Sequence, residues 1–547
     1  KEKADVDFQA LEVPGTVAPA IAHLASLGIR AHYGKWLIRG EPRTLLLEFD
    51  SLYAQADDLK KMLWEHFQVD SLFAGHDFTE PLVFSYAVAQ AIQALEQKTA
   101  LGERCVAHFH EWMTGIGLLF LKALGSAMPT VFTTHATMLG RAICGSGGDL
   151  YSMLESLDPF EEAKRQNVTA KFTAERACAQ QATIFTTVSE ITAIEAERIL
   201  GRRPEVLVLN GLDMDQFPTF EDTSIKHRRF RDRIREFLCY YFFPHYSFDL
   251  GHTLNYFIVG RNEFRNKGLD ITISALGRLN QQLKEEGSER NVVAFFFIPL
   301  GNNGIKKEVI ENKIYFRNIK NFVLRNIKGI EDELVATIVR DQGWEEYEEF
   351  RKEFEHESRR LGVSFKRTGQ PVPLCTHYID DEENNEIIKG FRNAGLQNQE
   401  QDKVKVILYP VYLNGVDGLI DLDYYDTILG CHLGLFPSYY EPWGYTPLES
   451  AALGVPALTS DLAGYGRFLN TQETSDEAPG VFVLPRFKRD PAEVLETYTQ
   501  LLMFYSKLGQ NQRVENKIAA KHLARLADWK ILINNYIEAH NRALDNA

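Results

Sequence analysis

Paired cysteines, long apolar runs and an excess of basic charge are all missing from this sequence. Its six cysteines (Cys105, Cys144, Cys178, Cys239, Cys375 and Cys431) lie far apart and form no CxxC. That spacing argues against a disulfide scaffold and points to reduced thiols and a cytoplasmic protein. No run of about 18 apolar residues occurs, so no membrane span is expected. The opening Lys1-Glu2-Lys3-Ala4-Asp5 has no apolar stretch and does not read as a signal peptide. Acidic residues outnumber basic ones, 75 to 60, for a net charge of −15. A general nucleic-acid binder needs a basic face to release counterions, so that class is set aside. A local basic pocket for an anionic substrate is still allowed. HExxH, GxSxG, the Walker A loop and a complete GxGxxG are absent too, which argues against a zinc site and the commonest hydrolase and P-loop readings. Asn167-Val168-Thr169 fits a glycosylation acceptor, which matters only in a secreted chain.

What is present is a chain of 547 residues with 45% apolar and 25% charged residues. That length suits three to four units, or two large ones with an insertion, and can bury two sizeable cores. Short apolar runs at Val106–His110, Val131–His135, Ile184–Val188 and Val206–Asn210 alternate with helical stretches such as Glu155–Gln180 and Glu190–Leu200. This is the rhythm of parallel βαβ units. The charged, aromatic stretch Thr219–Asp249 reads as a connection between domains. A second series follows at Leu254–Val259, Val292–Ile298, Val404–Tyr409, Leu433–Pro437, Val455–Ser460 and Val481–Leu484. Two doubly wound halves are therefore expected, with ligands beyond the carboxyl ends of their strands. Lys306–Lys403 breaks the rhythm with long helical periodicity (Val309, Ile310, Ile314, Phe316; later Trp344, Tyr347, Phe350, Phe354). It reads either as a solvated helical excursion or as an oligomerisation arm.

Three segments carry candidate chemistry. In Phe436–Glu449 a strand gives way to a helix start, with Thr446 as the expected N-cap and Pro447 at the first helical position. Gly444 allows a tight turn ahead of it. The free N–H groups of such a start suit a phosphate, and Glu441 in the loop and Glu449 in the first turn flank it. The bare pattern is equally that of a capped structural helix. In Val259–Gly268 a strand-end loop carries Arg261 and Lys267, a fork and a point charge suited to a diphosphate. Cations fixed there would stabilise charge on a departing phosphate; on pattern alone they are equally surface residues. The third segment is Phe132–Thr137 with Arg141 behind it, together with His108-Phe109-His110-Glu111-Trp112. Each places histidine at a strand end, where His135 can hydrogen-bond a sugar hydroxyl.

In this order these segments resemble the glycogen synthases of the animal and fungal type, glycosyltransferase family 3. The matching stretches are His108–Trp112, Phe132–Thr137, Phe185–Ser189, Asn210–Leu212, Gly260-Arg261, Asn266–Gly268, Cys375–His377, Gly430–Gly434, Phe436–Pro447 and Asp528–Lys530. The resemblance implies a GT-B fold: two Rossmann-like domains around a cleft. It divides the chain into an acceptor-side domain (1–250), a nucleotide-sugar domain (251–305 and 404–520), a helical insertion that assembles a tetramer (306–403) and helices crossing back (521–547). It implies retaining transfer of glucose from UDP-glucose to the non-reducing end of an α-1,4-glucan, without a metal or other cofactor; only the resemblance favours UDP over ADP. Arg261 and Lys267 are expected to hold the diphosphate, helped by Gly444, Tyr445 and Thr446. His135 and Arg141 should face the donor glucose and phosphate, and Tyr424 the uracil. Glu441 is placed near the anomeric carbon and Glu449 near the ribose, with Trp443, His110 and Asn210 as further substrate contacts. Two features depart from the family. No Gly-rich first loop precedes Leu11, which keeps a non-catalytic glucan-binding scaffold as the alternative. The arginine cluster that binds glucose 6-phosphate thins, in Gly509–Lys521, to Arg513, so a bacterial-type member without sugar-phosphate control is expected.

Overall fold

The computed structural model describes residues 7–99, 105–340, 345–367 and 369–546. Lys1–Asp5 and Trp344 lie outside them. The first half opens on an antiparallel meander, β1 (Phe8–Ala10), β2 (Arg30–Trp36) and β3 (Arg43–Glu48), backed by the helix His76–Lys98. Its small apolar cluster includes Leu24, Ile29, Leu52, Val83 and Ala87. Residues 8–98 are therefore not part of the expected βαβ series, because no parallel strand occurs there. That series starts at β4 (Ala107–His110) and continues through β5 (Thr130–Thr134), β6 (Ile184–Thr187) and β7 (Val206–Leu207), all parallel and in sequence order.

Strand alternation supplies both faces of this sheet with apolar residues. Phe109, Phe132 and Phe185 enter the main core with the helix Glu111–Ala123. Val131, Ile184 and Val206 face the other way and pack on Ala539 and Ala543 of the C-terminal helix Trp529–Asp545. The helix expected over Glu155–Gln180 is two helices, Pro159–Arg165 and Thr169–Gln181. Asn167 at φ +55° breaks the run, and Asp158 caps the first piece.

The second half is a six-stranded parallel sheet of β8 (Thr253–Val259), β9 (Asn291–Phe297), β12 (Val404–Tyr409), β13 (Leu433–Leu435), β14 (Ala457–Ser460) and β15 (Val481–Leu484). Their order across the sheet is β12-β9-β8-β13-β14-β15. Two strands outside the sheet, β10 (Asn302–Ile305) and β11 (His377–Ile379), pair antiparallel. Leu254, Tyr256 and Ile258 pack on one face, Phe257 on the other, so two cores sandwich the sheet. Two Rossmann-like halves face each other, which is the GT-B arrangement.

Three expected boundaries move. Thr219–Asp249 is no linker: it holds the helix Phe220–Phe242, capped by Thr219, whose Phe230, Ile234, Phe237 and Tyr241 join the second half's core. The helical excursion is confined to Lys307–Arg340 and Glu345–Phe365, which pack together with Phe322 against Phe354. Residues 372–403 return to the Rossmann core, because helix Glu386–Asn393 buries Ile387, Ile388 and Phe391 there. Finally, helix Gln510–Leu526 stays on the second half through Ala520, Leu523 and Ala524, so the crossing starts at Trp529 and not at residue 521. Among the described residues no helix is long and apolar enough to cross a membrane.

Candidate active site

Two loops of the second half touch at the mouth of its sheet. The amides of Tyr439 and Tyr440 donate to the carbonyl of Asn266 at 2.8 and 3.4 Å. Gly268, at φ +68°, makes this approach possible: a Cβ there would lie 2.4 Å from the carbonyl oxygen of Pro437. The contact brings Lys267 Nζ to 2.5 Å from Glu441 Oε2, and each side chain is about one-fifth exposed, at 20% and 21%. Arg261, on the same loop, is 75% exposed and pairs with Glu263 at 2.8 Å. It lines a cavity of about 360 Å³ with Gly260, Asn262, Phe297, Tyr412 and Tyr424. A guanidinium and two tyrosine rings around one hollow can take a flat base and its phosphates.

The helix beside this pair runs Tyr445–Ala452 and starts differently from expectation. Gly444, at φ +106°, is its N-cap, and no side chain caps it. Thr446 and Pro447 are therefore the second and third helical residues. The backbone turn needs a left-handed residue at the cap, which Thr446 cannot supply. Pro447 still sits in the first turn, where its lost N–H costs nothing. Without a capping side chain the first-turn donors are open to an anion. Glu449 lies in the second turn, not the first. It accepts hydrogen bonds from Tyr424 Oη at 2.8 Å and Tyr425 Oη at 3.2 Å, while burial pushes its carboxyl up. Trp443 is corrected as a substrate contact. It is 3% exposed and packs on Tyr465 and Phe468 under the helix, because its large apolar ring fills the core.

In the first half the strand-end histidines form a chain. His108 meets His540 at 2.9 Å and Thr133 at 2.7 Å, and its ring stacks on His110. His110 Nδ1 lies 3.1 Å from His135 Nε2. Burial, helped by the neighbouring imidazoles, pushes His108 down to about 3 and His110 to about 4; burial and then Arg141 lower His135. All three are therefore neutral at pH 7 and act through hydrogen bonds. Arg141 sits on the short helix Met138–Gly145 that follows His135. Asn210 is buried after β7, where the adjacent Gly211 packs against Trp529.

Three carboxylates underlie the His135 loop, and two of them have no place in the sequence reading. Glu111 accepts the His135 amide at 3.0 Å, its own backbone held at φ +62°. Glu175 accepts the Met138 amide at 2.8 Å and the Thr134 hydroxyl at 2.5 Å. Glu195 accepts the Thr137 amide at 3.0 Å. Burial pushes Glu175 up to about 8, with Glu111 adding to it, and Glu195 up to about 7. The available signal was acid on an apolar helix face, as in Phe172-Thr-Ala-Glu175 and Ile191-Thr-Ala-Ile-Glu195.

Polar contacts join the halves beside this site. Tyr439 donates to Asp149, Lys488 pairs with Glu155, and Arg265 Nη1 reaches the carbonyl of Gly147 at 2.5 Å. A separate cationic cluster lies behind the second sheet. Arg231, from the helix that the sequence presented as a linker, is half-buried, and its buried Nε and Nη2 have no hydrogen bonds. Burial, with Arg231 and Arg513 nearby, pushes Lys517 down to about 7. The late helix is thus less thinned of cations in space than in sequence. Its pattern was legible as Arg231 falling on the apolar stripe of His227, Ile234 and Leu238.

Comparison with known proteins follows the same outline. The family profile described as glycogen synthase matches residues 1–547. The chain is 34% identical over 548 residues to glycogen [starch] synthase isoform 2 of Saccharomyces cerevisiae, covering 96% of this chain and 76% of that protein. It is 34% identical to the liver glycogen [starch] synthase of Mus musculus, covering 97% and 75%. It is 33% identical to glycogen [starch] synthase of Dictyostelium discoideum, covering 100% and 62%.

Proposed function

The chain belongs to the glycogen synthase family and is a glycosyltransferase, and from that premise we propose that it transfers glucose from UDP-glucose to the non-reducing end of an α-1,4-glucan with retention at the anomeric carbon. The observation that carries this reading is the Lys267–Glu441 pair, set beside an uncapped helix N-terminus. The diphosphate lies on Lys267, Arg261 and the donors of Gly444, Tyr445 and Thr446. Charge building on the leaving oxygen is met there by fixed positive groups. Tyr424 takes the uracil in the cavity it shares with Arg261, and Glu449 faces the ribose, held by Tyr424 and Tyr425.

Glu441 lies against the reacting sugar. Neutral His135 and His110 hold its hydroxyls, Arg141 the nearby phosphate, and Asn210 a further substrate contact. The acceptor hydroxyl attacks on the face that the diphosphate leaves, and a phosphate oxygen takes its proton. Lys267 and the helix N-terminus already supply positive charge, so no divalent ion is required and the rate should persist in EDTA.

The apolar residues exposed along Lys307–Arg340, among them Leu324, Ile327 and Val335, suit assembly into a tetramer. Widely spaced cysteines fit a cytoplasmic enzyme. The deciding experiment is incorporation of labelled glucose into glycogen from UDP-glucose. The wild-type chain should sustain it, and Glu441→Ala should abolish it while the melting curve is kept. Normal transfer by Glu441→Ala would sink this site, and no transfer by the wild type would favour a glucan-binding scaffold.

A further inference from the structure

Glu195 is fully buried, at 1% exposure, on the first-half helix Glu190–Leu200. A carboxylate at that depth is costly unless it is hydrogen-bonded. One of its oxygens, Oε1, accepts two bonds: from the Thr137 amide at 3.0 Å and from the Tyr440 hydroxyl at 3.1 Å. The two donors come from opposite halves of the molecule. Thr137 lies two residues after His135 and caps the helix that carries Arg141, accepting from the Gly140 amide. Tyr440 immediately precedes Glu441, and its own amide is tied to the loop that carries Lys267.

The other two carboxylates beneath the His135 loop do not span the cleft. Glu111 and Glu175 accept from His135, Ala136, Thr134 and Met138, all in the first half. The surroundings of Glu195 are tight as well. A Cβ on Gly140 would come to 3.2 Å from Oε1, and Ser189 at the start of the same helix leaves no room for a Cβ on Gly464 of the second half. The contact is therefore a packed junction next to the cleft and not a surface hydrogen bond.

We propose that Glu195 is a positioning residue for glucosyl transfer: through Thr137 and Tyr440 it sets the distance between the His135–Arg141 side of the cleft and Glu441. The inference rests on the glycogen-synthase reading given above. Transfer needs the reacting groups of both halves aligned around one anomeric carbon, and small displacements there cost rate more than binding. The base and most of the diphosphate are held by Arg261, Lys267, Tyr424 and the helix N-terminus in the second half, while the first half adds His135 and Arg141 at the glucose and phosphate. Loosening the junction should therefore lower kcat far more than it raises the KM for UDP-glucose.

Tyr440→Phe removes one hydroxyl and keeps the ring. It should lower kcat about tenfold, the upper end of the usual weight of a hydrogen bond, with the KM for UDP-glucose held within about twofold. Glu195→Gln replaces the carboxylate acceptor of that bond with a weaker amide oxygen, so it should lower kcat in the same direction and by less. The double variant should be about as slow as Tyr440→Phe, because both changes act on one bond. Glu162→Gln serves as a control. It alters another buried first-half carboxylate, bonded only to Arg165 and Gln166, and should leave kcat unchanged. If Glu195→Gln does not fold, Tyr440→Phe decides alone. A wild-type kcat in Tyr440→Phe overturns the proposal, as does a raised KM with kcat unchanged. A wild-type chain that transfers no glucose overturns the functional reading and the proposal together.

Discussion

Replacing Glu175 with glutamine should flatten the loss of thermal stability between about pH 6 and about pH 8. Glu175 is completely buried beneath the His135 loop, and burial together with Glu111 raises its carboxyl from an ordinary 4.5 to about 8. A raised folded value means that the folded chain holds the proton more tightly than the unfolded chain does. The stabilisation is whole below the unfolded value and is lost as the pH rises through the folded one. Across this window the unfolded carboxyl is ionised while the folded one is still largely protonated, so each unit of pH costs up to about 1.4 kcal/mol. Half-ionisation near the upper end reduces the total to about 2 kcal/mol. For a unit the size of the first half that is a fall of roughly 4–8 °C in Tm. Glutamine cannot ionise, yet its oxygen still accepts the Met138 amide. Glu195, raised to about 7, contributes a loss of the same sign to both proteins and cancels in the comparison. Scanning fluorimetry of the two at both pH values gives the difference directly. Parallel pH curves would refute the assignment of a buried, protonated Glu175.

Three further outcomes follow from the site. Lys267→Ala removes the cation at the leaving diphosphate and strips Glu441 of its partner, so kcat should fall on the order of a hundredfold; a loss confined to KM in steady-state assays would contradict the role. Tyr424→Ala opens the cavity beside Arg261 and frees one bond to Glu449, and should raise the KM for UDP-glucose on the order of tenfold with a smaller change in kcat. Inhibition by UDP should weaken in step, and an unchanged inhibition constant would argue against a base site. Glucose 6-phosphate should leave the rate of the wild-type chain unchanged if sugar-phosphate control is absent. A clear rise would overturn that expectation and would direct the next variants to Arg231, Arg513 and Lys517.

The sequence by itself determined the periodic parts. Apolar runs of strand length marked every strand of both parallel sheets, because a strand covered on both faces must be apolar throughout. Motif spacing marked the two loops that carry Lys267 and Glu441. Tertiary structure alone decided the rest. Gly444 replaced Thr446 as the cap because the loop must turn left-handed to meet the helix. Trp443 went into the core, and Phe220–Phe242 became a core helix instead of a linker, because neighbours distant in sequence supplied the apolar surface that each could bury. Glu175, Glu195 and Arg231 look like misplaced charges on apolar helix faces when read in a line. Their meaning depends on partners such as Tyr440, 245 residues further along the chain from Glu195, and only folding brings such partners within hydrogen-bond reach.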